Sequence, residues 1–321
     1  MFSEKCNTPA RILVVRPGAL GDTILTLPAL RALAAGCPRA ELEIVGYPSV
    51  LRMVEHTRPR LPVRRTHAID RALFAPLLAG PMSGELEEVL ASYDLLIAWV
   101  HDHSEDLLAK LERVPIACLR ADPYPPEGSG VHASQHLLRT LTPLWPAAAL
   151  MSLGGVPGPA IEAPPDALTE SEGLLRHLGL EPKRFIAMHP GSGSVRKNWP
   201  AEKFADLLRM AEGAGRRVLV IEGPSDGEAV ARVARIAGGS MAQVREPTLL
   251  GLSAILSQAG AFVGNDSGVS HLAAATGTPT LTIFGPTDPA IWAPRASDAR
   301  VVSFETPVED VWAELERFLA W

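Results

Sequence analysis

The chain has 321 residues, of which 47% are hydrophobic and 21% charged, and its formal net charge is −6. This length suits two domains, and this composition excludes a disordered or collagen-like chain. The acidic balance argues against general nucleic-acid binding, so no nucleic-acid partner is predicted.

The cysteines are few and far apart, at Cys6, Cys37 and Cys118, and no CxxC pair occurs. This usage is typical of a reducing compartment and excludes a disulfide framework. Since no secretory signal precedes the first apolar run, we expect a cytoplasmic protein. Residues 140–161 carry no charge, but their prolines and glycines argue against a transmembrane helix.

Short apolar runs alternate with amphipathic stretches twice along the chain. The runs predict strands at residues 11–15, 42–45, 95–99, 116–119, 185–188, 217–221, 261–263 and 280–284. The amphipathic stretches predict helices that include residues 22–35, 201–214, 226–237, 249–259 and 308–320. This alternation predicts an α/β protein whose parallel sheets are covered by helices.

Proline and glycine are concentrated between the two halves, in residues 143–182. Such a stretch is typical of a linker or an ordered loop between domains. We therefore predict an N-terminal domain at residues 1–150, a linker at 151–182 and a C-terminal domain at 183–321. A cleft is expected between the two domains.

The first predicted strand runs into Arg16-Pro17-Gly18-Ala19-Leu20-Gly21-Asp22. The glycines allow a tight turn and a close approach of the backbone to a ligand. Asp22 has two open interpretations. It is either the N-cap of the following helix or a carboxylate that accepts a proton from a hydroxyl group.

The first strand of the second half runs into His189-Pro190-Gly191-Ser192-Gly193-Ser194-Val195-Arg196-Lys197-Asn198-Trp199-Pro200. Small residues leave backbone N–H groups accessible, the serines add hydroxyl donors and Lys197 adds a positive charge. This combination suits a diphosphate. The alternative is a solvated loop whose basic residues face water.

Two further polar loops follow strands of the second half. Gly264-Asn265-Asp266-Ser267-Gly268-Val269-Ser270-His271 opens a predicted helix, and Gly285-Pro286-Thr287-Asp288-Pro289 follows the next strand. Helix N-termini at the carboxyl edge of a parallel sheet bind anions. Helix capping by Asp266 and Ser267 and a structural role for His271 are the alternatives.

A third loop begins at Glu222, at the end of a predicted strand, where a carboxylate can accept hydrogen bonds from ribose hydroxyls. The next residues, Gly223-Pro224-Ser225-Asp226-Gly227, match the GxSxG pattern of hydrolases. A hydrolase that uses Ser225, Asp266 and His271 is therefore an alternative. Pro224 disfavours it, because the residue before such a serine must adopt a strained turn.

Residues 52–71 form an arginine-rich patch that contains Arg52, Arg58, Arg60, Arg64, Arg65 and Arg71. Such a patch could hold an anionic partner or rest on anionic lipid, and a solvated basic face is the alternative. Metal binding is not predicted. No HExxH or DxD motif occurs, and His101, Asp102 and His103 form only a loose group.

Taken together, these motifs resemble those of glycosyltransferase family 9, the bacterial lipopolysaccharide heptosyltransferases. The resemblance is carried by Gly18-Ala19-Leu20-Gly21-Asp22 with Leu27-Pro28-Ala29-Leu30, by His189-Pro190-Gly191-Ser192 with Lys197-Asn198-Trp199-Pro200, and by residues 264–271 and 285–289. The motifs are spread over residues 11–292 in the family's order.

The resemblance implies a GT-B fold, in which the first of two Rossmann-like domains binds the acceptor and the second binds the donor. It implies an inverting, metal-independent transfer of heptose from ADP-heptose to a lipopolysaccharide core-type acceptor, without a cofactor. Asp22 matches the proposed general base. The implied donor-binding residues are Ser192, Gly193, Ser194, Lys197, Glu222, Asp266, Ser267, Gly268 and His271.

The acceptor half departs from the family, whose members often carry Asp-x-x-Gly where this chain reads Trp99-Val100-His101-Asp102-His103-Ser104. We expect an anionic glycolipid acceptor that contacts Gly18, Arg60, Arg64 and Arg65, at the cytoplasmic face of the inner membrane. Two alternatives remain. A sugar-nucleotide epimerase of the same architecture would turn over a donor without an acceptor, and a binding protein would hold the nucleotide sugar without catalysis.

Overall fold

Residues 9–101, 106–146, 160–239 and 241–319 are described by a computed structural model. The chain divides into two units, residues 1–156 and 157–321. Each unit contains one parallel β-sheet.

The first unit is built on a five-stranded sheet in the order β3-β2-β1-β4-β5. Its strands are β1 (Arg11–Val15), β2 (Glu41–Gly46), β3 (Val63–Ala68), β4 (Leu95–Trp99) and β5 (Ala117–Ala121). Its helices include α1 (Leu20–Gly36), α2 (Pro48–Val54), α3 (Gly84–Ala91), α4 (Asp106–Leu111) and α5 (Ala133–Arg139), with a 3₁₀ turn at Ala75–Leu77. The interior strand β4 is buried along its whole length, as expected for a parallel sheet covered on both faces.

The second unit is built on a six-stranded sheet in the order β11-β10-β9-β6-β7-β8. Its strands are β6 (Phe185–His189), β7 (Arg217–Glu222), β8 (Ala242–Arg245), β9 (Ala261–Asn265), β10 (Thr280–Phe284) and β11 (Ala299–Ser303). Its helices include α6 (Pro165–His177), α7 (Ala201–Gly213), α8 (Gly227–Ala237), α9 (Leu249–Gln258), α10 (Gly268–Ala275), α11 (Pro289–Trp292) and α12 (Val308–Glu316), with a 3₁₀ turn at Val195–Lys197.

Both sheets have the strand order of a Rossmann fold. The first strand of each unit lies beside the fourth, so β1 pairs with β4 and β6 pairs with β9, all in parallel. The sequence order reverses at these two places. Open α/β sheets bind ligands at such switch points, beyond the carboxyl ends of the strands. The fold therefore predicts ligand sites at two places, the loops that follow β1 and β4 and the loops that follow β6 and β9.

The prediction of two α/β domains with parallel sheets is confirmed, and each of the eight predicted strands occurs with small shifts at its ends. The strands β3, β8 and β11 were not predicted; they are edge strands whose side chains, apart from Val244, are half-exposed or exposed. Such strands lack the continuous apolar run of a buried strand. The helix predicted at residues 308–320 ends at Glu316, and residue 320 lies outside the described residues.

Part of the segment predicted as a linker is helical. Helix α6 occupies Pro165–His177, with a proline in its first turn where a missing N–H costs nothing. Its buried residues Ala167, Ser171 and Leu175 recur every four positions and form one face. The high proline content concealed this periodicity. Residues 147–159 lie outside the described residues, and no helix among the described residues is long and apolar enough to cross a membrane.

Candidate functional site

The switch point of the second unit brings together two of the predicted donor-binding residues. Lys197 follows β6 and Asp266 follows β9, and Lys197 Nζ lies 2.8 Å from Asp266 Oδ2. The Thr287 hydroxyl, in the loop after β10, donates to the same carboxylate oxygen at 2.7 Å. Three loops at the carboxyl edge of one sheet therefore meet at a buried carboxylate.

Asn265 fixes the loop after β6 to the end of β9. It is completely buried, and its Nδ2 donates to Pro190 O at 2.8 Å and to Gly191 O at 3.1 Å. Its Oδ1 accepts from the Trp199 N–H at 2.9 Å. No role was predicted for Asn265 from the sequence, although an amide at the end of an apolar strand was an available signal. The side chain satisfies three backbone groups that the irregular loop leaves without a ladder partner.

The hydroxyl of Ser192 is used inside its own loop. Ser192 Oγ lies 2.6 Å from Ser194 O and 2.7 Å from Asn198 Oδ1, and it accepts from the Ser194 N–H at 3.2 Å. Only 7% of the Ser192 residue is exposed. Ser192 thus shapes the loop, and its hydroxyl hydrogen is used within the loop. The predicted role, in which this hydroxyl donates to a diphosphate, would require that hydrogen to turn away from its present acceptors. Gly193 is exposed, and a Cβ there would meet no atom within 4 Å.

Helix α10 begins directly after Ser267, at Gly268. The Ser267 side chain makes no capping hydrogen bond, so the alternative that Ser267 serves only to cap the helix is not supported. Ser267 Oγ lies instead 3.4 Å from His189 Nδ1, and His189 Nε2 lies 2.9 Å from Asp226 Oδ2. His271 is buried one turn into the helix.

Asp226 is part of the turn that follows β7. Its Oδ2 accepts from the Gly223 N–H at 2.8 Å, and its carboxyl group lies so close to Gly191 that a Cβ at that glycine would be 1.9 Å from Oδ1. Burial opposes the ionised form, but the hydrogen bond and charge of His189, with the Gly223 N–H, hold the pKa of the Asp226 carboxyl below its usual value. The sequence analysis treated Asp226 only as part of a GxSxG match.

The hydrolase alternative is not supported by this arrangement. Ser225 is exposed, and the carboxylate of Asp266 holds Lys197 and Thr287. The turn is therefore built around Asp226, with Ser225 outside it. Glu222 ends β7, where its carboxylate contacts Gln243 Nε2 and lies 3.5 Å from Arg245 Nε.

The switch point of the first unit holds Asp22. Asp22 is the third residue of α1, and its Oδ2 accepts from the Ala19 N–H at 3.1 Å. It is therefore not the N-cap residue, although it does satisfy a backbone donor at the start of the helix. Its Oδ1 lies 3.2 Å from Arg16 Nη2. A Cβ at Gly18 would lie 2.7 Å from the Asp22 Cβ, so this glycine is needed for its approach to Asp22.

Arg16 connects Asp22 to an aromatic side chain that the sequence analysis did not select. The guanidinium carbon lies 5.9 Å from the ring centre of Tyr124, which follows β5. Burial, together with the charge of Asp22, raises the pKa of Tyr124 above its usual value. His101 packs against Tyr124 with ring centres 5.3 Å apart, and its Nδ1 lies 2.6 Å from Asp122 Oδ2.

The arginines predicted to meet the acceptor lie elsewhere in the first unit. Arg64 and Arg65 are in the amino-terminal half of β3, and Arg60 precedes that strand. Asp22 follows the carboxyl end of β1, which is parallel to β2 and β3. Arg64 is also ion-paired with Glu41. The structure therefore does not bring these arginines to the edge of the sheet where Asp22 lies.

No group of three or more His, Cys, Asp and Glu side chains that could hold a metal ion occurs among the residues that the structure describes. Asp102 and His103, which the sequence analysis considered with His101, lie outside that part of the chain.

Comparison with known proteins gives these sites a context. Residues 156–315 match the family model "Glycosyltransferase family 9 (heptosyltransferase)". The lipopolysaccharide heptosyltransferase 1 of Pseudomonas aeruginosa is 28% identical over 312 residues, which cover 87% of this chain and 79% of that protein.

Two solved structures share the fold. A glycosyltransferase family 9 protein from Veillonella parvula superimposes with a TM-score of 0.78 at 20% identity, over 97% of each chain. The E. coli heptosyltransferase WaaC, solved with ADP, gives a TM-score of 0.66 at 19% identity, over 96% of this chain and 99% of that one. The two parallel-sheet units thus form a GT-B fold, and the chain belongs to glycosyltransferase family 9 and is a glycosyltransferase.

Proposed function

We propose that the protein transfers heptose from ADP-heptose to a lipopolysaccharide core-type acceptor. The heptosyltransferase relatives support this activity. The observation that carries it is the contact between Lys197 and Asp266 at the switch point of the second unit, beside the start of α10. This is the position at which a Rossmann sheet binds a nucleotide.

The donor diphosphate is proposed to bind at the N-terminus of α10. The first-turn N–H groups of a helix carry partial positive charge and lack partners within the helix. Lys197 adds a full charge, and its side chain remains one-third exposed beside the buried Asp266. These groups would stabilise the leaving diphosphate without a metal ion. Ser194 and the exposed Gly193 belong to the same loop after β6 as Lys197. The carboxylate of Glu222 would accept hydrogen bonds from the ribose.

Asp22 is the proposed general base of an inverting transfer. Its carboxylate would take the proton of an acceptor hydroxyl as that oxygen forms a bond to the anomeric carbon. The bond from that carbon to the diphosphate would break at the same time, and its electron pair would leave with ADP. Arg16 and the Ala19 N–H hold one oxygen each of Asp22, which orients the carboxylate before the acceptor binds.

The acceptor is proposed to be an anionic glycolipid at the cytoplasmic face of the inner membrane. Of the arginine-rich patch, Arg71 follows the carboxyl end of β3 and is exposed, so it lies toward the same edge of the sheet as Asp22. Arg71 is therefore a better candidate for a phosphate or carboxylate of the acceptor than Arg60, Arg64 and Arg65 are.

The test is ADP release from ADP-heptose with a heptose-deficient lipopolysaccharide precursor as acceptor. We expect Asp22→Asn to lower kcat by about 10²–10⁴-fold and to change the Kd for ADP-heptose by less than about twofold. Lys197→Ala should weaken binding of ADP-heptose by about tenfold or more, because the diphosphate of the donor loses a positively charged partner.

Asp166→Asn is the matched control, because Asp166 is also a first-turn carboxylate, but in α6. It should leave both kcat and Kd unchanged. A preference for UDP-sugars would contradict the proposal. Conversion of the donor without any acceptor would identify an epimerase, and donor binding without turnover would identify a binding protein.

A further inference from the structure

A buried chain of hydrogen bonds connects the three loops after β6, β7 and β9. His189 is the central member, at the end of β6, and only 2% of it is exposed. Its Nε2 faces Asp226 Oδ2 at 2.9 Å and its Nδ1 faces Ser267 Oγ at 3.4 Å. The proposed transfer mechanism uses neither His189 nor Asp226.

The partners of His189 determine where its hydrogens are. The ionised carboxylate of Asp226 has only acceptors, so His189 Nε2 must carry a hydrogen. In its neutral form the imidazole has one N–H, which leaves Nδ1 as a bare acceptor. Ser267 can then interact with Nδ1 only by donating its single hydroxyl hydrogen to it. In this state Ser267 presents lone pairs to any other group that approaches.

A phosphate oxygen cannot complete this arrangement, because it is also an acceptor. Ser267 must turn its hydrogen toward the phosphate in order to bind it, and its oxygen then faces the bare Nδ1. Two lone pairs repel each other unless His189 gains a second hydrogen. The imidazolium would donate from Nε2 to Asp226 and from Nδ1 to Ser267, while Ser267 donates to the phosphate.

We propose that binding of a nucleoside diphosphate at Ser267 is coupled to the uptake of one proton by His189. This inference rests on the proposed function for the position of the diphosphate. Bound ligand and the Asp226 carboxylate both favour the imidazolium. His189 is therefore a positioning residue, because it sets the direction in which the Ser267 hydroxyl donates.

The other charged groups near His189 largely offset one another. The loop after β6 carries Lys197, whose charge opposes a second cation, and the Asp266 carboxylate offsets part of it at 2.8 Å. Glu222, on β7, is paired with Arg245 at 3.5 Å. His271, on α10, is a further titratable group on the adjoining elements, and the side chains of Arg196 and Glu228 are exposed. Asp226 is the charged partner that touches the ring.

The experiment is calorimetric titration of the full chain with ADP between pH 7.5 and 9, where ADP itself is fully ionised. Each titration is repeated in two buffers with different protonation enthalpies, which gives the number of protons taken up. The wild-type protein should take up between about half and one proton near pH 7.5, and its affinity should fall by as much as tenfold per pH unit.

His189→Gln should bind ADP with no proton uptake, because a glutamine amide can still donate to Asp226 but cannot be protonated. Ser267→Ala provides a second variant with less effect on the buried core. It should reduce the uptake to less than half, since no hydroxyl then links the imidazole to the phosphate. His177→Gln, at the exposed end of α6, should behave as the wild type.

The outcomes separate the two proposals. If the wild-type protein binds ADP without proton uptake, or if His189→Gln and Ser267→Ala keep the full uptake, the inference about His189 is wrong and the donor site stands. If the wild-type protein does not bind ADP at all, the proposed function itself fails.

Discussion

Glu43 shows how single residues in this protein combine structural contacts with charge. It lies in β2, only 4% exposed, where its Oε2 accepts from Tyr93 Oη at 2.8 Å and lies 2.6 Å from His67 Nε2. Burial alone would raise the pKa of this carboxyl. The hydrogen bonds from His67 and Tyr93, with the charges of His67 and Arg11, outweigh burial and lower the pKa of this carboxyl below its usual value.

Glu43→Gln should therefore destabilise the protein at pH 7 by about 1–3 kcal/mol. A carboxyl whose pKa is lower in the folded than in the unfolded state stabilises the fold at any pH above its pKa in the unfolded state. This contribution to the free energy of unfolding is lost as the pH falls through its pKa in the folded state. The difference between wild type and variant should thus shrink as the pH falls below about 4.3, the usual pKa of a glutamate. Denaturant unfolding at a series of pH values measures this difference.

The half-exposed Glu41, paired with the exposed Arg64, supplies the control. Glu41→Gln should change the unfolding free energy by less than about 1 kcal/mol, as exposed ion pairs contribute little. Burial and the bond to Glu43 also raise the pKa of Tyr93 to about 12, so Glu43→Gln should lower the pH at which this tyrosine ionises. Equal effects of the two substitutions on stability would contradict this account.

At the scale of elements, α6 is held to the second unit by small side chains. Ala163 and Ala167 pack against Ala254 of α9, which is completely buried. Beside them, Gln258 Nε2 donates to Ser171 Oγ. Small residues allow the two helices to approach closely, so this contact leaves little room for a larger side chain.

Ala254→Leu should cost about 1–3 kcal/mol of unfolding free energy, because an enlarged side chain must displace α6 or adopt a strained rotamer. The same substitution at the exposed Ala231 of α8 should change stability by less than about 0.5 kcal/mol. Thermal unfolding of both variants measures the contrast. An Ala254→Leu protein as stable as the wild type would show that α6 is not closely packed.

The strands and loops also show which parts of the fold and of the candidate site could be predicted from the sequence. Central strands such as Phe185–His189 were predictable because both faces are buried and the residues form an apolar run. The strand Val63–Ala68 was missed because its edge position permits two adjacent arginines. The loop motifs indicated that Lys197 and Asp266 would be neighbours. The link from His189 to Asp226 depends on residues 37 positions apart, so no local pattern predicts it.

At the scale of the whole molecule, the second unit includes residues that precede its first strand. Residues 160–177 contact α9 and α10, although β6 begins only at Phe185. A domain defined by its sheet alone would exclude this segment. The segment therefore belongs to the fold of the second unit.

A fragment of residues 157–321 should unfold cooperatively. A fragment of residues 178–321 should have a free energy of unfolding lower by at least about 2 kcal/mol, because Ala254 and Gln258 lose the groups that cover them. Denaturant unfolding of the two purified fragments measures this difference. Equal midpoints would mean that α6 adds nothing to the unit.

The attachment of residues 160 and 161 also has a mechanical consequence. The N–H groups of Ala160 and Ile161 both donate to Ala275 O, at 2.7 and 2.9 Å. Ala275 ends α10, and Ser267 lies directly before its start. A helix of eight residues is a stiff rod about 12 Å long. Tension on the chain at residue 160 would therefore reach Ser267 along this helix, at the end where we propose that the donor diphosphate binds.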